Sequence, residues 1–571
     1  MPRVRAPSRL PAALAAALAL TCAAAAAACP PDAGLTPIDV VQGPGTRSPL
    51  VGRTVWVEGV VTAAFLGRAR LGGLFLQAPR GDGNPATSEG LFVTLPSPPT
   101  PAPQPGDVLR VRGRVSEAQT LTQLTAVGRL VRCGTAPLPS AREVALPLGT
   151  AGWEALEGMR VRVSTPLTVN DVYDLGRYGE LTLAAGRLFA PTQGAPHGGP
   201  AALGRIVLDD GSRLRDPRPV PYRLPGGGLP RDGDTVPALV GVVSTVAADV
   251  HAIEPTAPVR ILPDNPRPRA PARVGGALRI ATLNAHDFFT TLGDRGAATR
   301  QEYALQRDKL AAALAGLNAD ALLLDEVEAN GMRSEEALLD ALNARLGGPR
   351  YAAVPDPPQG VGHDRIKQAI LYRPAALTLV ATASDPQPLF ERAPVAASFR
   401  DGNGRVLTLI AVHLKSKGGC PGTGDVDRGY GCWNLRRAAQ ARAVLDFAGR
   451  RARAVGSPDV VVAGDLNSYA AEPPVRLLER AGYRDAAAGV PPAERYSFVY
   501  LGAAGTLDYA FLSPALASRL SGASYWHIDA DESPLLAAGG GLAPGGGAAD
   551  PYRASDHDPL LLGLDPTSAR P

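Results

Sequence analysis

After residue 278 this chain repeatedly ends an apolar run on a side chain able to do chemistry. Arg279-Ile280-Ala281-Thr282-Leu283 leads into Asn284, Leu322-Leu323-Leu324 into Asp325 and Glu326, and Leu409-Ile410-Ala411-Val412 into His413. Val460-Val461-Val462-Ala463 runs through Gly464 to Asp465, Leu466 and Asn467; Thr506-Leu507 meets Asp508; Ser555-Asp556-His557-Asp558-Pro559 opens a further apolar run. Short β-branched and aliphatic runs of this kind read as buried strands. Side chains alternate along extended backbone, so Asp465 and Asn467 fall on one face while Leu466 turns back to the core. Alone, Val460 to Ser468 reads equally well as a strand followed by an Asx turn. Six such termini in sequence favour a sheet rim on which polar groups converge.

Helical patterns at Glu302 to Leu317 and Ser334 to Leu346 lie between these runs, so residues 278–566 are expected to form an α/β domain. The first half reads differently. Thr54 to Val61 and Val108 to Val115 alternate apolar with polar between Gly- and Pro-rich turns, as short strands of a barrel or sandwich do. The pattern returns more loosely at Met159 to Val163 and Val236 to Val243. Two β-modules, 36–140 and 141–262, are therefore expected, with the Pro- and Arg-rich stretch 263–277 as a linker. A chain of 571 residues is long enough for two or three cores.

Arg3, Arg5 and Arg9, an Ala/Leu run and Ala26-Ala27-Ala28 form the three parts of a secretory signal peptide over 1–28. Secretion or periplasmic export follows, with lipidation at Cys22 or Cys29 less favoured and no membrane anchor expected in the mature chain. Four cysteines remain after cleavage. Cys420 and Cys432 enclose a loop suited to a local disulfide, and Cys29 with Cys133 would tie the mature N-terminus to the first module. Zinc is disfavoured because no closely paired cysteines occur. A net charge of +4 permits a polyanionic substrate without demonstrating one.

Asn284, Glu326, His413, Gly464-Asp465-Leu466-Asn467, Leu507-Asp508-Tyr509 and Ser555-Asp556-His557-Asp558 resemble the ordered motifs of the endonuclease/exonuclease/phosphatase superfamily, with its DNase I-like fold. Glu326-Val327-Glu328 with Asn330-Gly331, His413-Leu414-Lys415-Ser416-Lys417, Gly431-Cys432-Trp433-Asn434 and Tyr496-Ser497-Phe498-Val499 look like the secreted NucH/ExeM-type bacterial endonucleases. The first module resembles the OB-fold domains that precede such enzymes, in Val41-Gln42-Gly43, Gly73 to Gln77 and Thr87 to Val93. The resemblance implies a four-layer α/β sandwich behind an OB-fold-like β-module. It implies a divalent ion, Mg2+ first and Mn2+ or Ca2+ as alternatives, held by Glu326 with Asn284 and Asp556. Asp465 would orient or deprotonate the attacking water, and Asn467 would bind a phosphoryl oxygen. His557, kept in register by Asp508 or Asp556, would steady the transition state or act as base, and His413 would be general acid or phosphate ligand. Glu328 lies on the face of Glu326 and competes for the metal role. His286, His363 and His527 read as structural or surface residues.

The only four lysines are Lys309, Lys367, Lys415 and Lys417. A compact ammonium suits a single phosphate oxygen, so Lys415 and Lys417 are candidates for the substrate backbone, with Asn434 beside them. The expected function is a secreted metal-dependent nuclease acting on DNA, with RNA an alternative and no stable protein partner. A phosphodiesterase or phosphatase on phospholipid or small phosphate substrates is the enzymatic rival. No aromatic membrane-inserting loop favours it. A nucleic-acid-binding surface protein with an inert enzyme-like domain is the rival of another class.

Overall fold

The computed structural model describes residues 29, 34–194, 204–541 and 549–565. The segment 1–28, read above as a signal peptide, and most of the Gly-rich run 539–549 lie outside them. Residues Thr54–Phe65, Gly73–Gln77, Gly90–Thr94, Asp107–Ala118 and Leu121–Thr135 close into a five-stranded barrel in the order first, second, third, fifth, fourth. Its third and fifth strands run parallel. Alternate residues such as Val57, Val61, Leu74, Leu76, Val111 and Val115 fill the interior, as expected of an OB-like barrel. The disulfide Cys29–Cys133 ties residue 29 to the last barrel strand, with Cα atoms 5.3 Å apart.

An eight-stranded mixed sheet follows, drawn from strands between Arg142 and Pro255. It meets the barrel through Phe65, Phe75, Phe92 and Val242. On the barrel side it buries Asp209 and Glu254, 4% and 1% exposed, with Ser244 donating to Glu254 Oε1. Burial, and then the charge of Glu254, pushes the Asp209 carboxyl up to about 9; burial pushes Glu254 up to about 7. An acid whose folded value is raised favours the protonated native state, so it costs nothing below the unfolded value. The cost grows as pH rises towards the folded value. Asp209→Asn should therefore raise Tm more at pH 8 than at pH 5, measured by calorimetry at both pH values.

The second half is built from two six-stranded sheets. One orders its strands Ala352–Ala353, Ile366–Tyr372, Ala321–Glu328, Leu278–Phe288, Leu560–Leu564, Leu520–Tyr525; the other orders Leu377–Ser384, Val395–Asp401, Val406–His413, Val460–Asp465, Asp508–Leu512, Arg484–Asp485. In each sheet the two strands that end on site residues are parallel neighbours, 278–288 with 321–328 and 406–413 with 460–465. Their apolar runs are continuous because both faces are covered. Ile280, Leu323, Val461 and Ala463 pack between the sheets. Ala281, Leu283, Leu322 and Leu324 pack outward on the helices Arg300–Leu317 and Arg333–Arg345. Val460 and Val462 pack outward on Asn434–Val455 and Pro473–Arg480. Helix, sheet, sheet, helix are the four layers expected. The helix Arg300–Leu317 starts at a capping box between Thr299 and Glu302 and stops at left-handed Asn318, φ 48°.

The 263–276 stretch is irregular, as a linker would be, yet it is pinned rather than free. Asn265 donates to Asp232 O and Asp531 Oδ2, Arg267 makes paired bonds of 2.8 Å to Glu532, and Pro268 O accepts from Trp526 Nε1. The second β-module is also docked on the C-terminal half. Ala190 N donates to Ala504 O and Ala504 N to Leu188 O. Gln193 bonds Thr506, Thr192 bonds Glu472, and Leu535 enters the module's own core. Among the described residues no helix is long and apolar enough to cross a membrane.

Candidate active site

Asn284, Glu326, His413 and Asp465 stand at the C-terminal ends of the four parallel strands, Asp508 begins the antiparallel strand beside Asp465, and His557 precedes Leu560–Leu564. All fall on one rim. Both strands of the first sheet lose register there, between Asn284 and Phe288 and between Leu324 and Val327. The cause is left-handed backbone at His286 (φ 51°), Asp287 (φ 50°) and Glu326 (φ 59°). Such conformations cost about 1–3 kcal/mol each in residues with a Cβ. In return the Glu326 carboxylate accepts from Asp287 N at 3.1 Å, and Asn284 Oδ1 holds His286 N at 2.8 Å.

The same break separates Glu326 from Glu328, correcting the expectation that they share a face. Glu328 turns to a local network, accepting from Thr290 N and Oγ1, Thr291 N and Asn330 Nδ2. Burial alone would raise its carboxyl, but these hydrogen bonds bring it below the usual value. Glu326 has the opposite environment: burial, then the charges of Asp556 and Asp287, push it up.

The strand Val460–Asp465 realises both readings of its sequence. Asp465 and Asn467 do lie together, and they do so through an Asx turn: Asn467 N donates to Asp465 Oδ1 at 2.6 Å and its Nδ2 to Oδ2 at 3.2 Å. Leu466 is buried. Gly464 has φ 139°, and a Cβ there would come 2.0 Å from Val412 O, so a side chain is excluded by the neighbouring strand. Asp325, 1% exposed, accepts the Asp465 N–H at 2.9 Å; burial holds its carboxyl well above the usual range. Asp465 itself is pushed up to about 7 by burial, with the charge of His557 opposing.

His557 Nδ1 lies 2.7 Å from Asp508 Oδ2, so Asp508 and not Asp556 is its partner. Ser497 Oγ in turn donates to that same oxygen. Burial would strip the imidazolium proton, but the charges of Asp508 and Asp556 outweigh it and hold the group well above the usual histidine range. His413 behaves oppositely. Its Nε2 is 3.5 Å from Asp465 Oδ2 and 3.8 Å from Glu326 Oε1, yet burial and the charge of Arg392 hold it well below its usual value. A neutral His413 suits a hydrogen-bond donor rather than the general acid expected from an unperturbed imidazole.

Asp556 is ion-paired to His286, Nδ1 to Oδ1 2.9 Å. Burial opposes the Asp556 charge, but His286 and His557 keep its carboxyl far below the usual range. His286 is thus brought into the site, correcting its reading as a structural or surface residue; only the left-handed turn at 286–287, which no periodicity signals, aims it there. His527 is also placed, its Nδ1 2.8 Å from Asp558 and its ring stacked 4.0 Å from Tyr496. His363 is exposed.

The lysines are more committed than expected. Lys309 bonds Asp550 and Tyr552 O, and fully buried Lys367 bonds Glu335 and Asp356. Lys417 pairs with buried Glu472 and sits 4.4 Å over the Tyr469 ring. Lys415 lies 4.0 Å from Glu391 and 5.5 Å over Trp433. Removing Lys417 would leave the buried Glu472 carboxylate with the Thr192 hydroxyl but without its cation, so Lys417→Ala should cost about 3 kcal/mol in urea unfolding. Asn434 opens the helix Asn434–Val455, its Oδ1 buried without a protein partner. The loop before it is closed by the Cys420–Cys432 disulfide and by Trp433 Nε1 donating to Gly419 O.

Among the described residues, only Cys29, Glu58 and Cys133 gather three candidate metal-ligand atoms within 4.8 Å, and the two sulfurs are bonded to each other. Mg2+ asks for less, taking one or two carboxylates and filling its shell with water and phosphate. Glu326 beside Asn284 and Asp556 meets that demand with oxygen donors alone.

No curated protein matches the chain. Similar solved structures include an endonuclease/exonuclease/phosphatase from Bacteroides vulgatus, 17% identical over 50% of this chain and 99% of that one, TM-score 0.33. TDP2 of D. rerio, complexed with single strand DNA product, is 18% identical over 50% and 97%, TM-score 0.34. The human Nocturnin catalytic domain with bound sulfate is 17% identical over 52% and 95%, TM-score 0.32. The sequence profile of the Endonuclease/Exonuclease/phosphatase family matches residues 281–557, the span that contains the whole rim from Asn284 to His557.

Proposed function

We propose that the protein is a divalent-metal-dependent nuclease that hydrolyses phosphodiester bonds of DNA, acting outside the cytoplasm. One observation carries this reading: a buried His557–Asp508 pair, the Asp465–Asn467 turn and the Glu326 carboxylate face one another from four strand ends of the two sheets. A divalent ion held by Glu326, with Asn284 and Asp556, would supply charge neutralisation at the phosphate. Asp465, poised near neutrality, orients the attacking water and takes its proton. Protonated His557 donates from Nε2 to the phosphoryl oxygens as charge builds, and Asp508 fixes the ring's orientation by holding Nδ1. Neutral His413 and the Asn467 amide add hydrogen bonds, and Asp325 fixes the Asp465 backbone. Lys415, partly exposed next to His413, is retained as a backbone contact; Lys417 serves Glu472. The two disulfides suit an oxidising compartment.

The phospholipid reading gains one feature that sequence alone did not reveal, a hairpin tip exposing Tyr500 and Leu501 at 60% and 52%. That tip is held to the second β-module by Arg205, which donates to Leu501 O at 2.6 Å, so it is not free to enter a bilayer. Supercoiled plasmid incubated with the full chain and Mg2+ should be nicked, and EDTA should abolish the nicking. Cleavage that survives EDTA, or no cleavage with any divalent ion, overturns the reading. Lys415→Ala should lower the salt dependence of cleavage by about one unit of slope.

A further inference from the structure

We propose that the second β-module supplies one wall of the substrate cleft, with the Tyr173 ring as a stacking platform for an unpaired base beside the scissile phosphate. The inference rests on the nuclease reading of the same site. Two cavities of about 490 and 390 Å3 flank Asp556, and both are lined by Tyr173, Arg553 and Asp556. One continues to His286; the other continues to Phe498 and Tyr500 on the hairpin of the catalytic half. Phe498 packs against His557, ring centres 4.7 Å apart, so the second cavity ends one side chain from His557.

Tyr173 comes from the other half of the chain, and it is 61% exposed. A single exposed tyrosine is unremarkable by itself. This one is set on a rigid turn: its N–H donates to Asp171 Oδ1 at 2.8 Å, and its neighbours Val172 and Leu175 are buried at 2% and 0%. The module is in turn fixed to the catalytic half by the paired backbone bonds at Ala190 and Ala504. The ring is therefore held at the cleft rather than sweeping through solvent.

The lining chemistry sorts the nucleotide. Asp171 and Asp174 beside the ring repel phosphate but accept from base amino groups, whereas the Arg553 guanidinium, which lines both cavities, attracts it. The phosphate thus belongs on the Arg553 side of the cleft, and the base belongs against Tyr173. Every base has a face that an aromatic ring can cover, and in a duplex that face is already stacked. Unpaired strands are consequently the preferred substrate.

Steady-state cleavage of a single-stranded oligonucleotide in Mg2+, compared with the same strand carrying abasic residues, tests this. Tyr173→Ala should raise KM about tenfold on the base-bearing strand with kcat within twofold, Tyr173→Phe should restore it, and the variant should match wild type on the abasic strand. Wild-type KM in Tyr173→Ala, with the wild-type protein cleaving normally, overturns the platform and leaves the nuclease reading standing. Failure of the wild-type protein to cleave any nucleic acid overturns both.

Discussion

Replacing His557 by Ala is expected to lower kcat/KM for DNA cleavage by about three orders of magnitude. The size follows from two functions lost together. The imidazolium is the positive group aimed at the phosphoryl oxygens, and its partner Asp508, 0% exposed, would be left as a buried carboxylate without a cation. The second loss also threatens stability, because removing one member of a buried pair costs about 3–5 kcal/mol. Asp508→Asn separates the two effects: it keeps the shape and removes the charge that holds the proton on His557. If the pair acts as a unit, the double variant His557→Ala, Asp508→Asn should be hardly slower than His557→Ala alone. Additive losses would mean that the two residues act independently. Single-turnover cleavage, with near-UV circular dichroism to monitor folding, distinguishes these outcomes.

The strands that carry the site were legible because both faces of each central strand are buried, which leaves an uninterrupted apolar run that stops where the polar rim begins. Val460 to Ala463 and Leu409 to Val412 are such runs. The helix Asn434–Val455 was not anticipated, and its composition explains why. It buries small residues, Ala438, Ala441 and Ala448, beside Val444 and Phe447, and buries Arg437 completely, so the usual apolar stripe is muted. Arg437 is buried because Cys432 O, Lys415 O and Ser468 Oγ take its donors, contacts that join three separate stretches of chain.

Within the site, residues at strand ends could be named, but their divisions of labour could not. Glu326 and Glu328 are two apart and equivalent by alternation; one left-handed residue sends them to different networks. His286 needed the same kind of turn. What divides His413 from His557 is the placement of charges brought from distant stretches of chain: His557 faces Asp508, while His413 is boxed in by Arg392, whose guanidinium bonds the carbonyls of His413 and Leu414. Tyr173 lies far from every motif, and only the docking of the two halves brings it to the cleft.

Glu326→Gln should abolish metal-dependent cleavage, a loss of at least about a hundredfold, while making the metal-free protein more stable. The two directions come from one cause. Glu326 holds a carboxyl pushed up by burial and by Asp556 and Asp287, which the Asn284 hydrogen bond and the charge of His557 offset only in part, on a backbone at φ 59°, so the wild-type site carries unfavourable charge that a bound cation would relieve. An amide of the same shape keeps the acceptor for Asp287 N and removes the repulsion, and a Tm increase in EDTA is the expected reading. Mg2+ should then raise the Tm of the wild-type protein and leave that of Glu326→Gln unchanged, since ligand stabilisation appears only where the ligand binds the native state. Isothermal titration with Mg2+ gives a readout independent of turnover. If Glu326→Gln binds Mg2+ as the wild type does, the metal is held elsewhere; if its Tm in EDTA falls, the carboxylate is a structural acceptor and the strained turn at 326 exists for the fold rather than for the ion.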